Sequence, residues 1–209
     1  MKVIVFGATG NVGRPAVERL LKERHEVTAF ARRPEKIGID DPKLKLQAGD
    51  ALDAADVDNA VRGHDAAVIT IGAGMSRKSL IRSQGTMNVI QAMQKHGVRR
   101  LICQSTLGAH ESWPNLNFFW KRIMFGALLR PVFRDHELQE KLVRASGLDW
   151  TIVRPSAFAD GPATGAFKEG FGPEEHGLKL TISREDIAAF LTRQIGDPTY
   201  LRRAVAISN

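Results

Sequence analysis

The tightest constraint on this chain lies in its first thirteen residues. An apolar run, Val3-Ile4-Val5-Phe6, ends directly in Gly7-Ala8-Thr9-Gly10-Asn11-Val12-Gly13. An amphipathic stretch follows, residues 13–24. Strand, glycine turn and helix in this order form a recognisable unit. Glycine lets the chain turn sharply and adopt positive φ. It also lets backbone N–H groups approach an anion, while the helix aims its positive end at the same point. The glycines fall at i, i+3 and i+6, a spacing different from G-x-G-x-x-G, but the strand-to-helix context is the one a dinucleotide site requires. Gly7, Thr9, Gly10, Asn11, Val12 and Gly13 are therefore candidate ligands of a pyrophosphate.

Downstream, short apolar runs alternate with amphipathic stretches. Strands are expected at 3–6, 26–31, 44–48, 66–71, 101–104, 150–153 and 204–207. Several are β-branched and apolar without alternation, the pattern of strands covered on both faces. Helices are expected at 13–24, 54–62, 80–96, 135–145 and 184–195, the last with Ser183 as N-cap. This alternation predicts an α/β, Rossmann-type doubly wound parallel sheet with helices on both faces. The 209 residues, 43% hydrophobic and 25% charged, suit one domain over 1–209. Two stretches break the alternation, 107–133 (aromatic) and 156–177 (rich in Gly and Pro). Both follow late strands, where loops build the ligand crevice. Segments of about 105–133 and 154–177 are thus expected on the substrate side.

The second strand ends in Phe30-Ala31-Arg32-Arg33. An NAD-specific domain places an acidic residue there, for the ribose 2′-hydroxyl. A 2′-phosphate instead needs cations, and arginine offers a bidentate fork. Arg32 is the expected main ligand, with Arg33 in support, and the cofactor is expected to be NADP(H). Asp50, after the third strand, is a candidate hydrogen-bond acceptor for the adenine amino group, with the adjoining backbone; the alternative is that it caps the next helix. Gly72-Ala73-Gly74 closes the fourth strand, where small residues let the backbone pass beside a ligand.

A net charge of +7 arises from dispersed pairs such as Arg32-Arg33 and Arg99-Arg100 rather than one block. No nucleic-acid motif accompanies it, so nucleic-acid binding ranks last among the readings. The single cysteine, Cys103, excludes an intrachain disulfide and fits a reducing compartment. It reads as a core residue. No apolar stretch is long enough to span a bilayer, and the opening run is too short for a secretory signal. A cytoplasmic location is expected; the oligomeric state stays open, and no metal ligand set is assigned.

The glycine turn, Gly49-Asp50 and the run Ser146-Gly147-Leu148-Asp149-Trp150-Thr151-Ile152-Val153-Arg154-Pro155 together resemble the atypical short-chain dehydrogenase/reductase family, which includes NmrA-like dinucleotide sensors. Residues 49–58, 92–98, Asp135-His136 and Thr164-Gly165-Ala166-Phe167 are similar to its biliverdin IXβ reductase/flavin reductase branch. The resemblance implies that Thr9, Gly10, Asn11 and Val12 contact the pyrophosphate, Arg32 the 2′-phosphate, and Asp50 and Ala51 the adenine. It also implies that Ser105 and Pro155-Ser156 lie near the nicotinamide. That branch carries a second proline and then a histidine where this chain has Ser156 and Ala157.

Typical short-chain dehydrogenases use Tyr-x-x-x-Lys, in which lysine lowers the tyrosine pKa. The one tyrosine here, Tyr200, is followed four residues later by Ala204. The absence argues against alcohol dehydrogenation and sugar epimerisation. Flavins, quinones and related acceptors take hydride directly, with the proton from solvent. Ser105, at a strand end, is a candidate for orienting the carboxamide or substrate; satisfying local backbone is the alternative. His136 is a candidate proton donor, its ordinary pKa suiting neutral pH, or else a surface residue at a helix start; His110 is a weaker candidate. The segment 118–125 combines aromatics with cations. It reads as a lid, a partner surface, a membrane-touching face or a helix packed on the core. Two functions follow: an NADPH-dependent reductase of a small aromatic hydride acceptor (flavin, quinone or biliverdin-like), or a non-catalytic NADP(H) sensor.

Overall fold

A computed structural model describes residues 1–74 and 80–209. Five helices, α1 (Gly13–Lys22), α2 (Ala54–Val61), α3 (Ile81–His96), α4 (Arg130–Ala145) and α5 (Arg184–Arg193), pack on both faces of one sheet. Its main strands are β1 (Lys2–Phe6), β2 (Glu26–Ala31), β3 (Leu44–Ala48), β4 (Ala66–Ile69), β5 (Arg100–Gln104), β6 (Asp149–Pro155) and β10 (Arg203–Ser208). Their order is β3-β2-β1-β4-β5-β6-β10, all parallel; β8 (Lys168–Glu169) adds an antiparallel edge on β10. β7 (Ala157–Ala159) and β9 (Thr181–Ser183) form a separate parallel pair.

The period-2 geometry of β1 explains the two layers. Val3 and Val5 face a core shared with Val17, Leu20 and Leu191 of α1 and α5. Ile4 and Phe6 face the opposite core, with Val57, Val89, Met93 and Val143 of α2, α3 and α4. Strands buried on both faces need no polar side, hence the unbroken apolar runs. Strand order reverses between β1 and β4, opening a crevice at their carboxyl ends. A third cluster, with Leu107, Leu116, Phe125, Phe133 and Leu180, covers the carboxyl end on the β6–β10 side.

Three local features depart from the sequence reading. α4 starts at Arg130, not at 135, because Pro131 sits in its first turn, where a missing N–H costs nothing. The aromatic stretch 107–133 is not open loop: it contains a 3₁₀ turn (His110–Asn115) and a π-helical segment (Phe119–Leu128). Within 156–177, β7 and β8 are strands of three and two residues, too short to leave a periodic signal. Ser183 caps α5 as expected, accepting from the Asp186 N–H.

Candidate functional site

A cleft of 490 Å³ lies over the strand-order reversal. Gly7, Thr9, Gly10, Asn11, Val12, Arg32, Asp50, Ala51, Gly72, Ser105 and His136, all singled out from sequence, line it. Gly13, Arg33, Pro155 and Ser156 do not.

The amino-terminal end is shaped by backbone. Gly7 has φ +84°, and a Cβ there would stand 2.8 Å from the Thr70 carbonyl oxygen. A Cβ on Gly13 would lie 2.2 Å from the Gly7 oxygen and 2.8 Å from Thr70 Oγ1. Gly13 is thus required by the close pass of α1 over the turn. No side chain caps α1, and its first turn holds no acidic residue. Its positive end is left for an anion from outside the chain. Arg32, at the end of β2, is exposed and borders the cleft. Arg33 is also exposed but leads into a 3₁₀ turn, Pro34–Ile37. These residues fit a phosphorylated dinucleotide: an uncapped helix end, a small-residue cradle and a guanidinium bordering the same space.

The alternative for Asp50 does not hold. Asp53 caps α2, accepting from the N–H groups of Ala55 (2.8 Å) and Asp56 (3.1 Å). Asp50 Oδ1 accepts instead from the Leu52 N–H at 3.0 Å, and its own N–H donates to Asp56 Oδ2 at 2.9 Å. Asp50 therefore sits in a fixed loop at the cleft wall. Ala51 is buried, its carbonyl accepting from Asn88 Nδ2 at 2.9 Å. Gly72 borders open space, with no protein atom within 4 Å of where a Cβ would stand.

The carboxyl-terminal end is held by side chains. Ser105 Oγ donates to Glu140 Oε1 at 2.6 Å. Glu140, fully buried on α4, is forked by Arg154 of β6, with Nε to Oε1 at 2.9 Å and Nη2 to Oε2 at 2.6 Å. Arg154 Nη2 also reaches Glu111 Oε2 at 2.7 Å. With its hydrogen committed to the carboxylate, Ser105 turns its oxygen lone pairs to its other neighbours. Gln104 and Thr106 flank it on the cleft wall, with Phe158 from β7.

His136 lines the cleft and departs from the expected helix-start surface position. It lies in the second turn of α4, not at a helix start. Burial and the neighbouring Arg82 push its pKa down to about 3, so the ring is neutral at pH 7. Its Nδ1 stands 3.2 Å from Gln139 Oε1. His110 borders the Glu140 network, its Nε2 at 3.2 Å from the Glu137 carbonyl, and does not line the cleft. Cys103 is fully buried and its thiol is held far above the ordinary range by burial and Glu140. Pro155 and Ser156 belong to the β6–β10 ladder, Ser156 N–H donating to the Ile207 carbonyl at 3.1 Å.

Sequence reasoning missed Arg82, Gln104, Thr106 and Phe158 on the cleft wall, and Glu140 with Arg154 behind it. Arg82 Nη1 is buried without a hydrogen bond, 3.8 Å from Asp135 Oδ2. Asp135 itself accepts the N–H groups of Arg82 and Ser83, both at 3.1 Å, and so caps α3 from across the interface with α4. Gln104 and Thr106 were findable as neighbours of Ser105 at a strand end. Arg82 carried no signal, because a lone arginine in an amphipathic helix reads as surface.

An uncapped glycine turn at the switch point of a doubly wound sheet defines a dinucleotide-binding Rossmann protein. The chain belongs to the NAD(P)H-binding family, whose pattern matches residues 7–198. Among curated relatives, it is 26% identical to the UPF0659 protein YMR090W of Saccharomyces cerevisiae over 220 residues, covering 100% of this chain and 93% of that one. It is 28% identical to the uncharacterized sugar epimerase YhfK of Bacillus subtilis over 220 residues, covering 98% and 92%. Among solved structures, the anaerobillin reductase ChuY from Escherichia coli O157:H7 superposes with a TM-score of 0.81 at 27% identity, covering 99% of this chain and 96% of that one. No helix among the described residues is long and apolar enough to cross a membrane.

Proposed function

We propose that this NAD(P)H-dependent oxidoreductase uses NADPH to reduce an extended planar acceptor: a flavin, a quinone or a biliverdin-like tetrapyrrole. The carrying observation is the chemistry of the acceptor end. The single tyrosine, Tyr200, donates its hydroxyl to Glu169 Oε1 at 3.1 Å and does not line the cleft. Ser105 has its hydrogen on Glu140, and His136 is neutral. No tyrosine–lysine proton relay serves this wall, which suits an acceptor that takes hydride directly.

Bound NADPH supplies the hydride. In this reading the amides of Thr9, Asn11 and Val12 hold the pyrophosphate at the start of α1, while Gly10, whose N–H is donated to the Gly7 carbonyl at 2.9 Å, lets the ligand approach the turn closely. Arg32 holds the 2′-phosphate, with Arg33 adding positive potential beside it. Asp50 and Ala51 flank the adenine, and Gly72 lets the backbone pass the ligand. Ser105 offers its lone pairs to the carboxamide N–H, while Pro155 and Ser156 back the nicotinamide from the β6 end. The acceptor gains one hydride and one proton, the proton coming from water. Residues 1–209 act as one NAD(P)-binding domain, with about 105–133 and 154–177 on the acceptor side. The anaerobillin reductase likeness supports the tetrapyrrole member of the set.

NADPH oxidation measured with FMN, a short-chain quinone and biliverdin tests the reading. Oxidation dependent on at least one of them is expected. Tight NADPH binding with no oxidation by any acceptor would favour the sensor reading instead.

A further inference from the structure

The π-helical segment and the start of α4 carry a surface that the cleft does not use. From Ser112 to Arg134 the chain has no acidic residue and four cations, Lys121, Arg122, Arg130 and Arg134. Elsewhere, several surface cations are ion-paired: Arg99 and Arg202 with Asp149, Arg193 with Glu169, Lys95 with Asp58. Arg122, Arg130 and Arg134 have no ion-pair or hydrogen-bond partner among the described residues. Lys121 reaches only the Pro114 carbonyl, at 3.1 Å. All four, together with one acidic residue, Glu137, border a depression of 710 Å³ lined also by Trp113, Phe125 and Phe133, which shares no residue with the coenzyme cleft.

The same segment concentrates exposed apolar side chains. Of the twelve large hydrophobics exposed in the described chain, four lie within residues 118–128: Phe118, Phe119, Ile123 and Leu128. Phe118, Ile123 and Leu128 follow one another at five-residue intervals along the segment, and all three are exposed. Phe125, on the inward side, is buried in the third core cluster. Phe118 is 73% exposed. A set of exposed apolar side chains beside unpaired cations is the signature of a segment lying in an interface.

We infer that this face docks on an anionic phospholipid bilayer, with the exposed apolar side chains entering the headgroup boundary and the four cations facing lipid phosphates. Charge decides the occupant. A two-fold contact with a second copy would oppose four cations to the same four. An anionic leaflet instead attracts each of them. The inference is independent of the acceptor: it concerns where the protein sits.

The test is co-sedimentation of the full chain with vesicles of phosphatidylcholine alone and of phosphatidylcholine with about one third phosphatidylglycerol, a composition that gives the surface a negative potential. Binding is expected to the anionic vesicles and not to the neutral ones. It should fall as salt is raised toward about 1 M, where the screening length shrinks to about 3 Å. The double variant Arg122→Glu/Arg130→Glu should lose at least about tenfold in vesicle affinity. Phe118→Ser/Phe119→Ser should also weaken binding, and circular dichroism and NADPH affinity should be unchanged in both. Absence of binding to anionic vesicles would overturn the inference. So would equal binding by both variants, or a dimer in solution that Phe118→Ser/Phe119→Ser dissociates.

Discussion

At its amino-terminal end the cleft is shaped by what is missing from residues: Gly7 and Gly13 have no Cβ where one would strike backbone. At the carboxyl-terminal end it is shaped by residues reaching across the fold, Ser105 to Glu140 to Arg154, from three different elements. The first arrangement is local in sequence and leaves its polar groups open to a ligand. The second is long-range and ties Ser105, Glu140 and Arg154 to one another, while Arg82 Nη1 and Gln104 Oε1 on the same wall are left without hydrogen bonds. A coenzyme with fixed chemistry suits the first. An acceptor wall that needs stiffness rather than a proton relay suits the second.

This contrast can be broken most forcefully at Glu140. Glu140→Ala leaves Arg154 buried with only the exposed Glu111 as partner. Stability should fall by about 3–5 kcal/mol in chemical denaturation, the cost of stranding a buried charge. A loss under about 1 kcal/mol would mean that the network is not what holds this wall. Gly13→Ala tests the other end. Its Cβ meets the Gly7 backbone as well as Thr70 Oγ1, so a loss of about 1–3 kcal/mol is expected from the forced backbone shift, with NADPH affinity reduced in the same preparation. Unchanged stability and affinity would remove the steric account of that glycine.

His136 gives the smallest effect near neutral pH and the sharpest sign. Its folded pKa, about 3, lies below the ordinary histidine value. Between the two values the unfolded chain binds the extra proton, so His136 favours folding above about pH 6.5 and loses that contribution as pH falls toward about 3. The stability difference between wild type and His136→Gln should therefore shift in the variant's favour on acidification through that window. Across pH 6–8 the two should give parallel rate profiles. A wild-type rate inflection near pH 6.5 that is absent from His136→Gln would restore the histidine as a proton donor.

The same contrast governs what the sequence disclosed. The parallel sheet was legible because strands buried on both faces read as plain apolar runs, and the glycine turn because its spacing is local. Pro131 misled: as a breaker it suggested loop, whereas in the first turn of α4 it opens the helix. Asp50 and Asp53 are three residues apart, and only geometry separates the cleft wall from the helix cap. Glu140 and Arg154 were invisible as a pair because fourteen residues and a helix–strand connection separate them. Arg82 was hidden by its ordinary place in a helix.

The central claim is that the amino-terminal end is built for a 2′-phosphorylated dinucleotide held by Arg32. Calorimetric titration of wild type and Arg32→Asp with NADPH and with NADH tests it most directly. Wild type should prefer NADPH, and the variant should lose about tenfold to a hundredfold in NADPH affinity, the worth of a charge-assisted contact of about 1.5–3 kcal/mol, with NADH affinity little changed. Equal weakening of both coenzymes, or no wild-type affinity for either, would contradict it.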